Sequence, residues 1–483
     1  MPVKKRLFSL LLAAAGTGCM FHGNTPIATA PEAFTVDHAG QAVKNLPEYA
    51  WWQDIGSTEL NELVLEALER NKKISIAVKN IEIAQSSLDT VRLGWLPIFS
   101  FMAGRVQGNS VTFLPNLPVP ISSASNFSAF LPMWVVNIID LPNKTKEAEK
   151  NVEATAADYL ALRTSIAAQV VSSYAVLLAS IEEASILNHL KDNLSIRVKT
   201  TKSMAARGLN TDVAFHDIES EMQKLEAQIA TNRSNQVAAK NALLTLVGRQ
   251  ISSFSPRETF DSLKLDHVAP GNTPTSVLAT RPDVVAARAK IESSDYGVSS
   301  TASLFAPVPT FTGANVRATS SQNGQDDSMR ANVQAGVLFW VLDPRFIGKI
   351  NTQNKQYDAA IINYLSVVDQ SLKEVDDALA SFEANQRKLI KEESVLSNSR
   401  KNLATTQAMF KNGLVSDTHY IDHLTRFDLT RMSILQTKVQ AVIAFSKLYQ
   451  SMGGGATYGE NRYQLQDQAL AEKAQSTANS DVR

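Results

Sequence analysis

The chain has a single cysteine, Cys19, in 483 residues, so no disulfide framework can form within it. It has no charge excess either: Lys+Arg and Asp+Glu stand at 47 each, without the basic balance expected of a nucleic-acid partner. Catalytic signatures are missing: there is no P-loop, no Gly-rich dinucleotide turn and no nucleophile elbow, so the chain reads as a non-enzyme without a cofactor. His419 and His423 stand four apart on one helix face, but no third ligand keeps a fixed spacing to them, and they read as a solvated face rather than a metal site. Beyond the N-terminal leader no segment reads as a transmembrane helix. The most informative absence is proline, with none between Pro142 and Pro256 and none from Asn351 to Met452. The glycine in the middle of each stretch is Gly208 or Gly413.

What fills the second stretch is helical periodicity, with Ala359, Ile362, Leu365, Val368, Leu372, Val375, Leu379 and Phe382 recurring every three or four positions. Breakers are absent for about 60 residues before Gly413, which at ~1.5 Å per residue gives a helix on the order of 90 Å long. Such lengths point to coiled-coil-like packing and an elongated shape. A second helix, from Asp417 to about Leu448, follows the turn.

The unit occurs twice. Met204, Gly208, Leu209 and Asp212 recur as Met409, Gly413, Leu414 and Asp417, all at an offset of 205. Phe215 and Tyr420 keep that offset, as do Asp217 and Asp422. Each turn reads as a C-cap glycine followed by a Ser/Thr-Asp helix start. Upstream, Ala77, Ile81, Glu82 and Pro97 match Ala287, Ile291, Glu292 and Pro307 at an offset of 210. A duplicated hairpin explains both sets.

The N-terminus runs from Lys4, Lys5 and Arg6 through the apolar stretch from Leu7 to Ala15 to Gly16, Gly18 and Cys19. A basic start, a short apolar run and small residues form a secretory leader. The cysteine at its end resembles a bacterial lipobox, with Gly16 where a leucine is usual. The expected segments are a signal peptide at 1–18, a lipidated N-terminal region at 19–56, a first repeat at 57–247, a linker at 248–280, a second repeat at 281–455 and a polar tail at 456–483.

Within each repeat the order is helix, strand, loop, strand, long helix, glycine turn, shorter helix. In the first, Ser57 caps a helix reaching about Leu93, strands cover 96–109 and 126–140 around a loop at 109–125, and the long helix starts near Asn143. In the second, Arg281, Pro282 and Asp283 open a helix to about Ser303, and strands cover 308–319 and 331–342 around a polar loop at 320–328. Val333, Ala335, Val337 and Phe339 share one face of the last strand, and Asn332, Gln334 and Gly336 the other, as in a membrane β-strand. Four strands cannot close a barrel, and open edges are not tolerated in lipid, so protomers must share one. Strand loops and glycine tips fall at opposite ends.

The set Trp52, Leu60, Leu63, Ala67, Leu68 and Asn71, then Arg281 to Val284, Gly413 with Tyr420 to Asp422, and Leu448 to Gly455 resembles the outer-membrane factors of bacterial efflux pumps, the TolC/OprM-like channels, over nearly the whole mature chain. The resemblance implies a mainly α trimer with a membrane β-barrel part. In it, duplicated helical hairpins form an α-barrel tunnel, and four strands per chain contribute to a shared 12-stranded barrel. It implies a passive exit duct for drugs or other small toxic compounds, lipid-anchored at Cys19 in the outer membrane. Its partners would be a periplasmic adaptor, an inner-membrane RND-type pump and outer-membrane lipid, with no nucleic acid. The segment from Trp134 to Asn143 departs from the family by lacking a Gly-Arg pair at the strand-to-helix junction. The alternatives are a secreted coiled-coil scaffold and a protein-export duct of the same family.

On that reading the tips form a periplasmic gate. Asp422 aligns best with the family's constriction aspartate, and Asp217, Asp417, Asp212, Tyr420, Lys411 and Arg207 lie around the two glycines. Threefold assembly turns an inward carboxylate into a ring that attracts cations and narrows the pore. Lys411, Arg207 and Tyr420 are the nearest partners in sequence; helix capping is the alternative role for the aspartates.

Overall fold

The computed structural model describes residues 30–459, apart from 32, 36–40, 107–109, 115–116, 121–124, 208–210, 251–253, 268, 323–324 and 342. The leader at 1–18, Cys19, Gly208 and the tail from 460 onward lie outside the described residues. The helices are α1 (Thr58–Arg70), α2 (Lys72–Leu93), α3 (Asp140–Ala206), α4 (Asp212–Val247), α5 (Pro274–Thr280), α6 (Pro282–Ala302), α7 (Arg345–Lys411) and α8 (Asp417–Ser451). The strands are β1 (Ile98–Val106), β2 (Ser110–Leu114), β3 (Leu117–Pro120), β4 (Ser125–Val135), β5 (Val308–Gln322) and β6 (Gln325–Phe339). The duplication is sharp: α3 and α7 each have 67 residues, and the starts and ends of α3 and α7, and the starts of α4 and α8, differ by the same 205.

The chain divides into two compact units, one containing Lys79–Ala156 and Ala286–Ser366, the other Ala28–Val78, Ala157–Val285 and Val367–Arg483. Helices α2, α3, α6 and α7 contribute residues to both.

The first unit is built on an antiparallel sheet in the order β1-β4-β5-β6. Its register pairs Phe101 with Phe130, Trp134 with Phe311, and Arg317 with Arg330. Alternation then sorts the side chains. One face carries Ile98, Met102, Ala129, Leu131, Ala314, Val316 and Val333, with Ala129, Ala314 and Val316 buried in a cluster. The other carries Phe99, Phe101, Phe130, Trp134 and Phe311, with Asn315, Asn332 and Gln334 in the rows of Phe99 and Phe101, and Asn126, Ser128, Arg317 and Arg330 further along. Residues 110–114 and 117–120, read from sequence as loop, form the paired strands β2 and β3. Likewise 320–322 and 325–328 are not loop: β5 and β6 stay paired to Gln322 and Gln325, because the ladder is made by backbone N–H and C=O groups, which pair beneath polar residues as well as apolar ones.

Two tryptophans fasten the strand bases. Trp134 Nε1 donates to the Trp95 carbonyl at 2.8 Å and Trp340 Nε1 to the Phe305 carbonyl at 3.0 Å. Trp95 and Phe305 are repeat mates, each two residues before the matching prolines Pro97 and Pro307. At the junction after β4, where the family's Gly-Arg pair is missing, Asn137 Oδ1 accepts from the Ile139 and Asp140 amides at 3.2 and 2.9 Å and starts α3. The helix therefore begins three residues before Asn143. Pro142 sits inside its first turn, where a missing N–H costs nothing.

In the second unit, Ser57 caps α1 as expected, accepting from the Leu60 amide at 2.9 Å. The single helix expected to run to Leu93 is broken at Asn71, whose ψ of 128° leaves the helical region. Asn71 compensates the break: Oδ1 accepts from the Lys73 amide at 2.8 Å, and Nδ2 donates to the Leu246 carbonyl at 2.7 Å.

Three of the four family-like motifs lie in this unit's core. Trp51 and Trp52 are fully buried, and Trp51 stacks on Tyr449 at 5.6 Å. Gly455, at φ 75°, lies so close to Trp52 that a Cβ there would stand 2.6 Å from the indole. Buried Arg281 donates to the carbonyls of Ser371 and Ser451 at 3.2 and 2.7 Å and pairs with Asp283 and Glu374. It thereby ties the start of α6 to α7 and to the end of α8. The start of the expected polar tail belongs to this core too: Ala456 is buried, and its carbonyl and that of Tyr458 accept from Arg163.

No helix beyond the leader was expected to suit a membrane. α3 does by length and composition, but 67% of its apolar window is buried inside the protein, so that apolarity is spent on packing.

Candidate gate at the hairpin tips

The second tip is closed by backbone geometry. Gly413 has φ 72°, and its amide donates to the Phe410 carbonyl while the Leu414 amide donates to that of Met409, both at 2.9 Å. This is the Schellman pattern, which needs a left-handed residue at that place. Phe410 and Tyr420 then stack at 5.0 Å with planes 9° apart, locking the end of α7 to the first turn of α8. Tyr420 is thus a structural clamp. Lys411, last residue of α7, is exposed, as is Arg207 after α3.

The helix caps are Thr211 and Ser416, whose side chains accept from the Ala214 and His419 amides at 3.3 and 3.2 Å. Asp212 and Asp417 are therefore not caps but first helical residues, and at Asp417 a carboxylate complements the helix dipole. Asp217 is exposed on α4. His419 and His423 stand 4.9 Å apart, and no group of three potential metal ligands occurs among the described residues.

Asp422 is held by a residue that sequence proximity did not suggest. Its carboxylate lies 3.5 Å from Nη1 of Arg197 on α3, and not against Lys411, Arg207 or Tyr420. The reason is packing: α3 and α8 run alongside each other, so the neighbour in space comes from the other repeat. Arg197 is 22% exposed at its side chain and Asp422 44%.

Further polar rungs follow along the same seam. Asn193 Nδ2 donates to Asp428 at 3.4 Å, Arg431 lies 3.5 Å from Asp428, and Arg431 donates to Glu182 at 2.8 Å. Asp428 is 4% exposed, and burial pushes its carboxyl above the usual carboxylate range against the pull of Arg431 and His189. It interrupts a buried stripe spaced by sevens, Ile421, Leu435, Val442 and Tyr449. A polar residue within a heptad stripe is the signal that would have found it.

The comparisons with known proteins agree with this architecture. The model of the family described as outer membrane efflux protein matches residues 63–249 and 273–454. Outer membrane protein OprJ of Pseudomonas aeruginosa is 21% identical over 445 residues, covering 90% of this chain and 92% of its own. Cation efflux system protein CusC of Escherichia coli is 21% identical over 470 residues, covering 93% and 99%. Among solved structures, the outer-membrane channel OprN superposes with a TM-score of 0.73 at 18% identity, covering 90% of this chain and 99% of that one. The CmeC outer membrane channel of Campylobacter jejuni superposes with 0.74 at 15% identity, covering 90% and 95%. Matched in this way through both of its repeats, the chain belongs to the outer membrane efflux protein family.

Proposed function

We propose that this protein is the outer-membrane duct of a tripartite efflux pump, a trimer lipid-anchored at Cys19 that takes small toxic compounds from an adaptor and an inner-membrane RND-type pump. The observation that carries the reading is the sheet. It has four strands, its edge strands β1 and β6 lack outer partners among the described residues, and one face gathers Ile98, Met102, Ala129, Leu131, Ala314, Val316 and Val333. Open edges are untenable in lipid, and the smallest membrane barrels need about eight strands. Three copies joined β6 to β1 give twelve strands and remove every edge. The same threefold axis gathers six helical hairpins into a tunnel, with Asp422 and Asp217 ringed near its tips as the gate. The curated relatives include a solvent efflux pump outer membrane protein and a toxin and drug export protein, which supports small compounds as cargo. Family membership disfavours the coiled-coil scaffold, and nothing specific favours a protein-export duct.

Cross-linking in native membranes tests the assembly: a ladder ending at three is expected, and a monomer that dissolves without detergent refutes the duct. Cys19→Ser should abolish incorporation of labelled fatty acid while the barrel retains the protein in the membrane. An unmodified mature N-terminus beyond Cys19, seen by mass spectrometry, refutes the anchor.

A further inference from the structure

The sheet register sets Arg317 of β5 directly opposite Arg330 of β6 on the face that also carries Asn315, Asn332 and Gln334. Side chains directly opposite on one face stand ~5 Å apart at Cβ, and like charges there destabilise the pair. On the same face, one ladder row further on and two strands away, is Arg105 of β1. Row and strand spacings put its Cα roughly 12 Å from that of Arg317, within reach of two extended guanidinium side chains. All three arginines are exposed, and none makes an ion pair among the described residues. Val316 and Ala331, the neighbours of the arginine pair on the opposite face, carry no charge. The sheet thus gathers three arginines on one face without an ion-pair partner among the described residues, although the chain as a whole is neutral.

We propose that Arg105, Arg317 and Arg330 form an anion-recruiting site on the pore wall of the barrel, one that takes carboxylate- or phosphate-bearing solutes. The inference rests on the duct reading above. A charge on the lipid face of a barrel strand costs ~2–4 kcal/mol at mid-depth, so the charged face turns to the lumen. Paired guanidinium groups offer planar, bidentate donors that match carboxylate and phosphate oxygens. Trimeric assembly repeats the site three times around the lumen and makes nine arginines a cationic belt. Arg317 lies nine residues along β5 from Val308, which sets the belt well away from the strand base. The belt favours anions over cations there and gives anionic cargo a stepping point on the way out.

The test is single-channel recording of the full-length protein in neutral phosphatidylcholine bilayers, with citrate as the probe. In about 0.1 M KCl, citrate added on the barrel side should block wild-type current, and the double variant R317Q/R330Q should need roughly tenfold more citrate for half block. R105Q should shift block in the same direction by less. The wild-type effect should vanish in 1 M KCl, where screening shortens to ~3 Å. R317K/R330K keeps the charge and removes the fork, so it should retain anion preference in the reversal potential but block less strongly. Equal block and equal reversal potential in wild type and R317Q/R330Q overturn the site. If R317Q/R330Q keeps citrate block but loses a thermal stabilisation by phosphatidylglycerol vesicles, the arginines face lipid and the proposal is likewise overturned. A wild-type protein that assembles no conducting pore defeats the duct reading itself, an outcome distinct from a conducting pore indifferent to the arginines.

Discussion

Removing the Asp422 carboxylate tests the gate directly. In each protomer it faces Arg197 across 3.5 Å, and with Asp422 44% exposed the attraction is partly screened. Exposed pairs contribute ~0–1 kcal/mol, and about 0.7 is a fair working value for a pair half shielded by packing. In a trimer whose tips open together, three such pairs amount to about 2 kcal/mol, or roughly a thirtyfold change in the ratio of closed to open states. Asp422→Ala should therefore raise conductance in planar bilayers and lower the cation/anion permeability ratio. Arg197→Ala should raise conductance to a similar extent. The double variant should add little, since either substitution already removes the pair. The exchange Arg197→Asp with Asp422→Arg should restore closure, and about 1 M salt should flatten all differences. The reasoning is refuted if the two single effects simply add in the double variant. If Asp422→Ala and Asp217→Ala, singly and together, change neither quantity, these carboxylates are solvated surface and the gate lies elsewhere.

Asp428 should make the α3–α8 seam sensitive to pH. Its carboxyl is raised by burial, so its contribution is fully present below the unfolded value of ~3.9 and is lost as pH rises through the higher folded value. Amide exchange in α8 should slow on acidification through that window, and Asp428→Asn should erase the dependence; an unchanged profile in the variant refutes it. Gly455→Ala should destabilise the core by ~2–4 kcal/mol, from a left-handed backbone plus a methyl 2.6 Å from Trp52, read as a lowered thermal midpoint. Wild-type stability would show that Trp52 moves freely. Trp134→Phe and Trp340→Phe each remove one indole bond worth ~1 kcal/mol, and the losses should be equal and additive because the bonds are repeat mates. Unequal losses in thermal melting would show that only one base is fastened this way.

The sequence by itself determined the repeat, the long helices and their turns. These depend on local chemistry: the absence of proline, the apolar stripe, glycine where φ must be positive, and Thr211 and Ser416 where a cap is needed. Such signals are complete within a few residues, and the equal lengths of α3 and α7 follow from them. Strand ends were less legible, because residues 320–322 and 325–328 are polar and only partner strands reveal that their backbone is paired. The break at Asn71 was hidden for a similar reason, since the Leu246 carbonyl that holds it lies 175 residues away.

The partner of Asp422 and the charged sheet face were decided by tertiary structure alone. Asp422 was visible as a candidate, but its partner Arg197 is nowhere near it in sequence and belongs to the other repeat. Arg317 and Arg330 are unremarkable thirteen residues apart in the chain; the antiparallel register makes them opposite neighbours. Charge pairs and charge clusters depend on distances of a few ångströms between elements, and those distances are set by how helices pack and strands align, which no local pattern records.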